Sequence, residues 1–409
     1  MPKDELPTVN AFLSSYIQPP EKSPFFVAQD RLRNIDPALI HPFQQNLAQL
    51  IASQINPSIQ ALLGYLNGDY ASKAPQGVGL SQYPSGKEYY RFLVHNYTTL
   101  EVSPDEVHRI GLAAVEKDEA KMAEMRRTIG FQGTSEDFNR FVKTNERFFP
   151  KTPEEIEARL MSYVSRVRNV VGSYFAELPK APYGVKRLDP ALEAGETFGH
   201  YDQPSASEPM GIYYFNGSNL QERSLFNAAP LILHELVPGH HFQINLQTEN
   251  RALPEFRRQT FPAAYTEGWG DYSAKLGQDM GVYQEPYDFY ACLAMDMFIS
   301  VRLVVDTGMN DKGWSRSKAV EFMRQHELEA DAQIQSESLR YSVDIPGQAL
   351  AYKMGSLELS KLRDATKTKL GDHFDIKRFH ACVLNSGAMP LTILKDHVEW
   401  CMQNPPVAN

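Results

Sequence analysis

The sequence predicts a mostly α-helical chain with one small β-sheet. Helix start signals followed by apolar residues at helical spacing recur along the chain, whereas residues 183–215 are rich in glycine, proline and β-forming residues. No internal repeat or low-complexity linker divides the sequence. We therefore expect one mostly helical domain over residues 25–409, preceded by residues 1–24, whose scattered prolines predict a poorly ordered arm.

Two of the predicted helices have strong start signals. "SPDE" at Ser103–Glu106 and "TPEE" at Thr152–Glu155 are capping boxes with proline at the first helical position. The first helix should reach roughly to Gly130, and apolar residues at helical spacing carry the second as far as Pro179. Further helices are predicted over residues 288–306, 317–324, 348–369 and 391–402.

The two runs "YGVKRL" and "GIYYFN" are predicted to be strands of one small sheet. The second run precedes the helix that carries the chemistry discussed below, and it has two interpretations. It could be a core strand with aromatic packing. It could also be an exposed edge that pairs with an extended peptide backbone.

Composition and charge restrict the classes of partner. The formal net charge of −9 offers no basic footprint, so we expect no nucleic-acid partner. The N-terminus lacks the basic start and apolar core of a signal peptide. The longest apolar region, residues 287–305, is interrupted by Asp296 and Arg302, which indicates a buried helix rather than a membrane span. We expect no membrane partner, and the oligomeric state stays open.

The three cysteines bear on the cellular compartment. Cys292, Cys382 and Cys401 are odd in number and widely spaced, which does not indicate a disulfide framework and offers no Cys-x-x-Cys zinc knuckle. A reducing cytoplasm is therefore the expected location.

The stretch "APLILHELVPGHHFQ" has the composition of a zinc-binding helix but an unusual spacing. In the H-E-x-x-H arrangement, histidines at i and i+4 bind one zinc, yet four residues after His234 the chain has Pro238. Proline lacks the N–H that a helix needs, and Gly239 relaxes the backbone further. A helix broken here could turn His240 back towards His234. His240 is the preferred second ligand, with His241 as the alternative.

A third ligand is available downstream. In "AYTEGWGDYSAKL", Glu267 lies on a predicted helix, and Asp271 follows on the same face, placed to accept a hydrogen bond from a ligating imidazole. Two histidines and a carboxylate leave an open zinc position for water. Glu235, beside the first histidine, is then the natural general base.

The simpler interpretation is a histidine on a helix with no metal. A His-Glu pair alone carries little weight, since "HELEA" at His326–Ala330 begins the same way and is expected to be a solvated helix face. The joint pattern of His-Glu, Gly-His-His and a downstream Glu-x-x-x-Asp favours a metal site.

Several long motifs occur in one order along the chain. They are "HELVPGHHFQ", "TEGWGDYSAKL", "RLVVDTGMNDKGWS", "LRYSVDIPGQALAYKMG" and "FHACVLNSGAMPLTILKDHVEW". With these motifs the chain resembles the bacterial and fungal family named domain of unknown function 885, regarded as candidate zinc metallopeptidases. The similarity spans roughly residues 211–400. Family members usually have a longer helical N-terminal region, so this chain is expected to be shortened there.

The resemblance implies a zincin-like helical metallopeptidase fold with a small sheet beside the metal helix, similar to carboxypeptidase Taq and dipeptidyl peptidase III. The second of these also lengthens its zinc motif, with Gly-His after an extra residue, and this favours His240 over His241. Arg340 and Tyr341 fall within a family motif, and peptidases of similar design use such side chains to stabilise an oxyanion. Alternatively, Arg340 pairs with Glu337 and Tyr341 only packs.

The predicted activity is that of a zinc-dependent hydrolase, a peptidase or amidase, acting on a small peptide-like substrate. Two histidines and a carboxylate also describe a non-haem iron site, although such a site has no need of Glu235. The remaining alternatives are a biosynthetic enzyme with non-hydrolytic chemistry and a non-catalytic binding protein on the same fold.

Overall fold

The structure is a computed structural model that describes residues 1–190, 192–193 and 199–404. The α-helices of this part of the chain, numbered α1 to α18, are Leu6–Ser15, Pro37–Leu50, Asn56–Tyr65, Ala71–Lys73, Gly86–Thr98, Pro104–Ile129, Ser135–Thr144, Pro153–Val170, Ala228–Glu235, His240–Glu249, Glu255–Arg258, Ala263–Asp279, Pro286–Asn310, Arg316–His326, Asp331–Leu339, Leu350–Leu370, Ile376–Leu384 and Leu391–Gln403. Strands β1 to β3 are Tyr183–Arg187, Gly199–Asp202 and Gly211–Phe215. The mostly helical fold with one small sheet is confirmed.

The helices with strong start signals begin where the sequence predicts. At α6, the Ser103 side chain accepts from the Glu106 backbone and the Glu106 carboxylate accepts from the Ser103 backbone, so the capping box is complete. Helix α6 ends at Ile129, and the following residue, Gly130, has a φ of 80°, the left-handed conformation that favours glycine. Helix α8 is shorter than predicted, because a 3₁₀ turn that contains Gly172 replaces its last turns.

Helix α13 is the long apolar segment, and it is buried along most of its length. Two of its four charged residues are Asp296 and Arg302, and both are paired: Asp296 accepts from Lys275 and Lys353, and Arg302 pairs with Glu337. Within the described residues, no helix is long and apolar enough to cross a membrane. The prediction of a buried helix is confirmed.

The sheet has the order β1-β3-β2. Strand β3 pairs in parallel with β1, with Tyr183 opposite Gly211, and antiparallel with β2, with Gly199 opposite Phe215. The interpretation of "GIYYFN" as an exposed edge is therefore wrong, because β2 occupies the side of β3 that a peptide would need. The core-strand interpretation is confirmed, since β3 is central and almost fully buried.

The N-terminal segment differs from the expected arm. Residues 1–24 contain helix α1, and Leu6 of this helix is buried with Leu66 and Ala74 in a small apolar cluster. The prolines of the segment lie at helix starts and turns, positions that tolerate the missing N–H.

The segment "HELEA" is not a solvated helix face. His326 is the last residue of α14, and residues 327–330 form a connection to α15. Glu327 is 2% exposed, and neither oxygen of its carboxylate has a hydrogen-bond partner among the described residues. The chain turns inward here because α15 packs against α14.

The cysteine prediction is corrected. Cys382 of α17 and Cys401 of α18 form a disulfide, and Cys292 of α13 is a buried free thiol. The two half-cystines are 19 residues apart in sequence, but α17 and α18 pack against one another and bring them together.

Candidate metal centre

The break in the metal-binding segment separates two helices. Helix α9 ends at Glu235 and α10 begins at His240, so the first two predicted ligands lie on different helices. Between them, Leu236 (φ −108°, ψ −85°) and Gly239 (φ −76°, ψ −126°) leave the helical conformation, and the Val237–Pro238 peptide bond is cis. The backbone reversal brings the imidazoles of His234 and His240 to a ring-centroid distance of 4.6 Å.

Helix α12 holds the break in place. Trp269 Nε1 donates to the Pro238 carbonyl at 2.8 Å, and Ser273 Oγ donates to the same oxygen at 3.3 Å. Gly239 lies directly against the preceding helix, since a Cβ at this position would be 1.8 Å from the His234 carbonyl oxygen. Gly270 leaves room in the same way for the His234 ring. The glycines of the motif are thus required by close backbone approach.

Three predicted ligands converge. One ligand atom from each of His234, His240 and Glu267 lies within 4.8 Å of the other two. Glu267 Oε2 is 3.6 Å from His234 Nε2 and 3.5 Å from His240 Nε2. Two ligands of a tetrahedral zinc ion, each roughly 2.0–2.1 Å from the metal, are about 3.3 Å apart. The donor set and its spacing fit such an ion with little movement.

Asp271 takes the orienting position predicted for it. Its Oδ1 accepts from Nδ1 of His234 at 3.1 Å, which leaves Nε2 of that ring facing Glu267. Burial by itself would lower the pKa of His234, but the hydrogen bonds to Asp271 and Glu267 and the charge of Glu235 outweigh it and raise the pKa to about 10. The pocket therefore favours positive charge at this position.

The carboxylate of Glu267 stays ionised in the same pocket. Burial acts to raise its pKa, but the hydrogen bonds and charges of His234 and His240 lower it well below the ordinary range. His240 differs from His234 in its support, because its Nδ1 is buried and has no hydrogen-bond partner among the described residues.

The structure places His241 away from the centre. Its Nε2 donates to the Ala181 carbonyl at 3.1 Å, and its Nδ1 accepts from the hydroxyl of Tyr201 at 3.0 Å. Burial lowers the pKa of His241 to about 4, so the ring is neutral. With both nitrogens engaged, His241 is not the second ligand in this structure.

Glu235 lies beside the ligands and is not engaged. Its side chain is partly buried, and its carboxylate has no hydrogen bond or ion pair with any described residue. Its charge helps to raise the pKa of His234. It is also the smallest of the contributions to the raised pKa of Tyr201, after burial and the charge of Asp202, which a hydrogen bond from Asn245 partly offsets. Glu235 is therefore close to the metal-binding atoms and available to accept a proton.

The other two predicted residues have different environments. Tyr341 is fully buried, and its hydroxyl contacts Glu337 and Arg302, so it has no path to a substrate. Arg340 is partly exposed, with Nη1 donating to Glu337 at 3.3 Å and Nη2 donating to Gln348 at 3.0 Å. The predicted Arg340–Glu337 pair is confirmed, and Tyr341 packs in the core.

Sequence reasoning missed two residues of the site. Tyr201 lies on β2, a strand that was not predicted, and its hydroxyl forms hydrogen bonds with His241 and Asn245 of helix α10. Tyr352 of α16 lies beside His234, with the two rings 15° from parallel and their centroids 6.3 Å apart. Tyr352 falls within "LRYSVDIPGQALAYKMG", one of the motifs that support the family resemblance. Its place in that motif was the signal that could have indicated it.

Among the solved structures that resemble this chain are the following two. One, from Colwellia psychrerythraea, is described as a "putative lipoprotein" and is 28% identical, with a TM-score of 0.91 over 99% of this chain and 71% of that chain. The other, from Shewanella oneidensis, is described as a "putative lipoprotein of unknown function". It is 16% identical, with a TM-score of 0.69 over 97% of this chain and 73% of that chain, and it supports the fold alone.

The sequence comparisons reach further along the chain than the motifs suggested. No curated protein matches the sequence. The pattern of a family described as bacterial protein of unknown function, DUF885, matches residues 1–398, so the N-terminal helices belong to the same match as the metal centre. The chain is a member of the DUF885 family.

Proposed function

We propose that this chain is a zinc-dependent hydrolase with a zincin-like centre, a peptidase or amidase that acts on a small peptide-like substrate. The observation that carries the proposal is the convergence of His234, His240 and Glu267 beside an unengaged Glu235. A structural histidine cluster would not need a free carboxylate at this position. A hydrolase needs one, because water must lose a proton as it attacks a carbonyl.

Each residue has a distinct role in this proposal. His234, His240 and Glu267 hold the ion, and Asp271 fixes the ring orientation of His234. Bound zinc polarises a carbonyl and lowers the pKa of a coordinated water to about 7. Glu235 accepts the proton that the attacking water releases and passes it to the nitrogen of the leaving amine.

Metal analysis is the first test. We expect one zinc per purified chain, and we expect the zinc to be lost in His234→Ala and Glu267→Ala. Inductively coupled plasma mass spectrometry measures the content. Iron at this stoichiometry would favour the oxygenase alternative. An absence of metal from the wild-type chain after reconstitution would remove the basis of the proposal.

The general base is tested separately from the metal. Glu235→Gln should bind zinc as the wild type does, since Glu235 is not one of the converging ligands. Its turnover of a peptide that the wild type cleaves should fall by a factor of roughly 10²–10⁴, the usual contribution of general acid–base catalysis. Undiminished turnover in this variant would exclude the proposed role.

We also infer that the chain works in a compartment that permits disulfides rather than in the expected cytoplasm. The Cys382–Cys401 bond supports this inference, because such bonds are rare in reducing compartments. The description of the two related structures as lipoproteins is consistent with it.

A further inference from the structure

A buried cluster of charged side chains lies on the α16 side of the metal centre. Its central carboxylate is Glu337, which is 5% exposed. The Oε2 atom accepts from Arg302 Nη2 at 3.1 Å and from the hydroxyl of Tyr341, and the Oε1 atom accepts from Arg340 Nη1 at 3.3 Å and from Gln333 Nε2 at 3.2 Å. A carboxylate has about four acceptor sites. Glu337 is therefore saturated and has no capacity for a substrate.

Tyr352 connects this cluster to the metal centre. The guanidinium carbon of Arg302 lies 4.6 Å from the centroid of the Tyr352 ring, and the same ring lies nearly parallel to His234. Tyr352 therefore lies between a proposed metal ligand and Arg302 of the charged cluster.

Arg340 is the member of the cluster that remains accessible. Its side chain is 30% exposed, whereas that of Arg302 is 7% exposed. A guanidinium has five N–H donors, and the described contacts of Arg340 use two of them, one to Glu337 and one to Gln348. Asp344 is another nearby carboxylate, but it forms no hydrogen bond or ion pair with Arg340 within the described residues.

We propose that Arg340 binds a carboxylate of the substrate whose amide is cleaved at the metal centre. This inference rests on the proposed function for the position of the cleaved bond. Arginine recognises a carboxylate through parallel N–H donors. Gln348, which accepts from Arg340, and Tyr352, whose ring lies against His234, separate Arg340 from the metal centre, so one short substrate can contact both.

The carboxylate that Arg340 binds is either the C-terminus of a peptide or an acidic side chain, and the test distinguishes the two. Three matched hexapeptide pools are incubated with the zinc-loaded wild-type chain. The first pool ends in free α-carboxylates and has no acidic side chain, the second is its C-terminally amidated counterpart, and the third is amidated with Asp or Glu at a central position. Mass spectrometry gives the bond cleaved and the initial rate.

We expect cleavage of the peptides in the first or the third pool to be at least about tenfold faster than in the neutral amidated pool. Preference for the first pool identifies a terminal carboxylate, and preference for the third identifies an acidic side chain. Equal rates in all three pools would overturn the proposal.

Variants of Arg340 assign the preference to this residue. Arg340→Gln should lose roughly 10- to 100-fold in kcat/KM on the preferred pool and much less on the neutral pool, so that the preference between the pools disappears. Arg340→Lys keeps the charge without the planar fork, so its loss should be smaller. Arg340→Lys also tests the inference if Arg340→Gln does not fold. An equal loss on every pool would assign Arg340 a structural role and contradict the inference.

Binding separates a failure of this inference from a failure of the proposed hydrolysis. Isothermal titration calorimetry with zinc-loaded Glu235→Gln measures affinity for one peptide of the first pool, one of the third, and their neutral amidated counterpart. Preferential binding of either acidic peptide that disappears in Glu235→Gln/Arg340→Gln supports the carboxylate site even if the wild type cleaves nothing. Cleavage without any preference in rate or affinity would leave the proposed function standing and remove the inference.

Discussion

At the scale of single residues, the sequence identified the residues of the candidate metal centre but left the choice between two histidines open. The roles of His234, Glu235 and Glu267 could be predicted from residue type and spacing, because that prediction does not depend on the path of the backbone between them. The choice between His240 and His241 depends on where α10 begins. Successive residues on a helix point about 100° apart. The first residue of α10 therefore faces α12, and the next faces β2.

The adjacent histidines give a matched pair of variants. His240→Ala should lose zinc, because it removes one of three converging ligand atoms. His241→Ala should retain zinc and lose stability instead, since it removes a buried ring bonded to Ala181 and Tyr201. Zinc content and the denaturant midpoint are measured for both. Loss of zinc in the His241 variant with retention in the His240 variant would reverse the ligand assignment.

At the scale of elements, local signals predicted helices better than strands. Start signals at Ser103 and Thr152 act through bonds within one turn, so they are visible in the sequence. Strand β2, Gly199–Asp202, has only four residues. Its side chains do not alternate between buried and exposed, so it lacks the pattern by which a strand is predicted. Without β2 the sequence could not show that β3 is central, and for that reason the edge-strand interpretation was wrong.

Gly239 is the residue on which the junction between α9 and α10 depends. Gly239→Ala should destabilise the chain by about 3 kcal/mol and lower its zinc content, because the added Cβ would overlap the His234 carbonyl. Gly64→Ala in α3 is the control, since no atom lies within 4 Å of its added Cβ and alanine favours a helix. Chemical unfolding and metal analysis are the measurements. A Gly239→Ala variant with wild-type values in both would show that the close approach is not required.

The connection from α14 to α15 predicts an unusual pH dependence. Burial, and after it the charge of Glu329, raises the pKa of Glu327 well above its ordinary value of 4.5. A raised folded-state pKa means that the stabilising contribution of Glu327 is present below pH 4.5. It is lost as pH rises through the folded-state value, at about 1.4 kcal/mol per pH unit.

Glu327→Gln removes this titration. The unfolding free energy of the variant minus that of the wild type should therefore increase from pH 5 to pH 8, whatever the cost of burying the amide. Urea unfolding at each pH measures the difference, with the exposed Glu399→Gln as a control. A difference that is constant across this range would mean that Glu327 ionises normally in the folded chain.

At the scale of the whole molecule, the fold class was predictable, but the pairing of distant segments was not. The long buried helix α13 could be predicted from its apolar length and from the charges of Asp296 and Arg302 within it. The partners of those charges, among them Lys353 for Asp296, lie on other helices and are specified only by tertiary packing. The cysteines present the same problem, because their count and spacing say nothing about the packing of α17 against α18.

The disulfide provides a prediction for the whole molecule. Closing a loop of 19 residues should stabilise the folded state by about 3 kcal/mol through the lost entropy of the unfolded chain. Cys382→Ser/Cys401→Ser, or treatment of the wild type with reductant, should therefore lower Tm by several degrees in differential scanning fluorimetry. Cys292→Ser is the control, because its thiol is unpaired and its variant should keep the sensitivity to reductant. Three titratable thiols in unfolded, never-reduced protein, together with a Tm indifferent to reductant, would mean that the bond does not form. The inference of a non-reducing compartment would then lose its main support, because α17 and α18 would be held by packing alone.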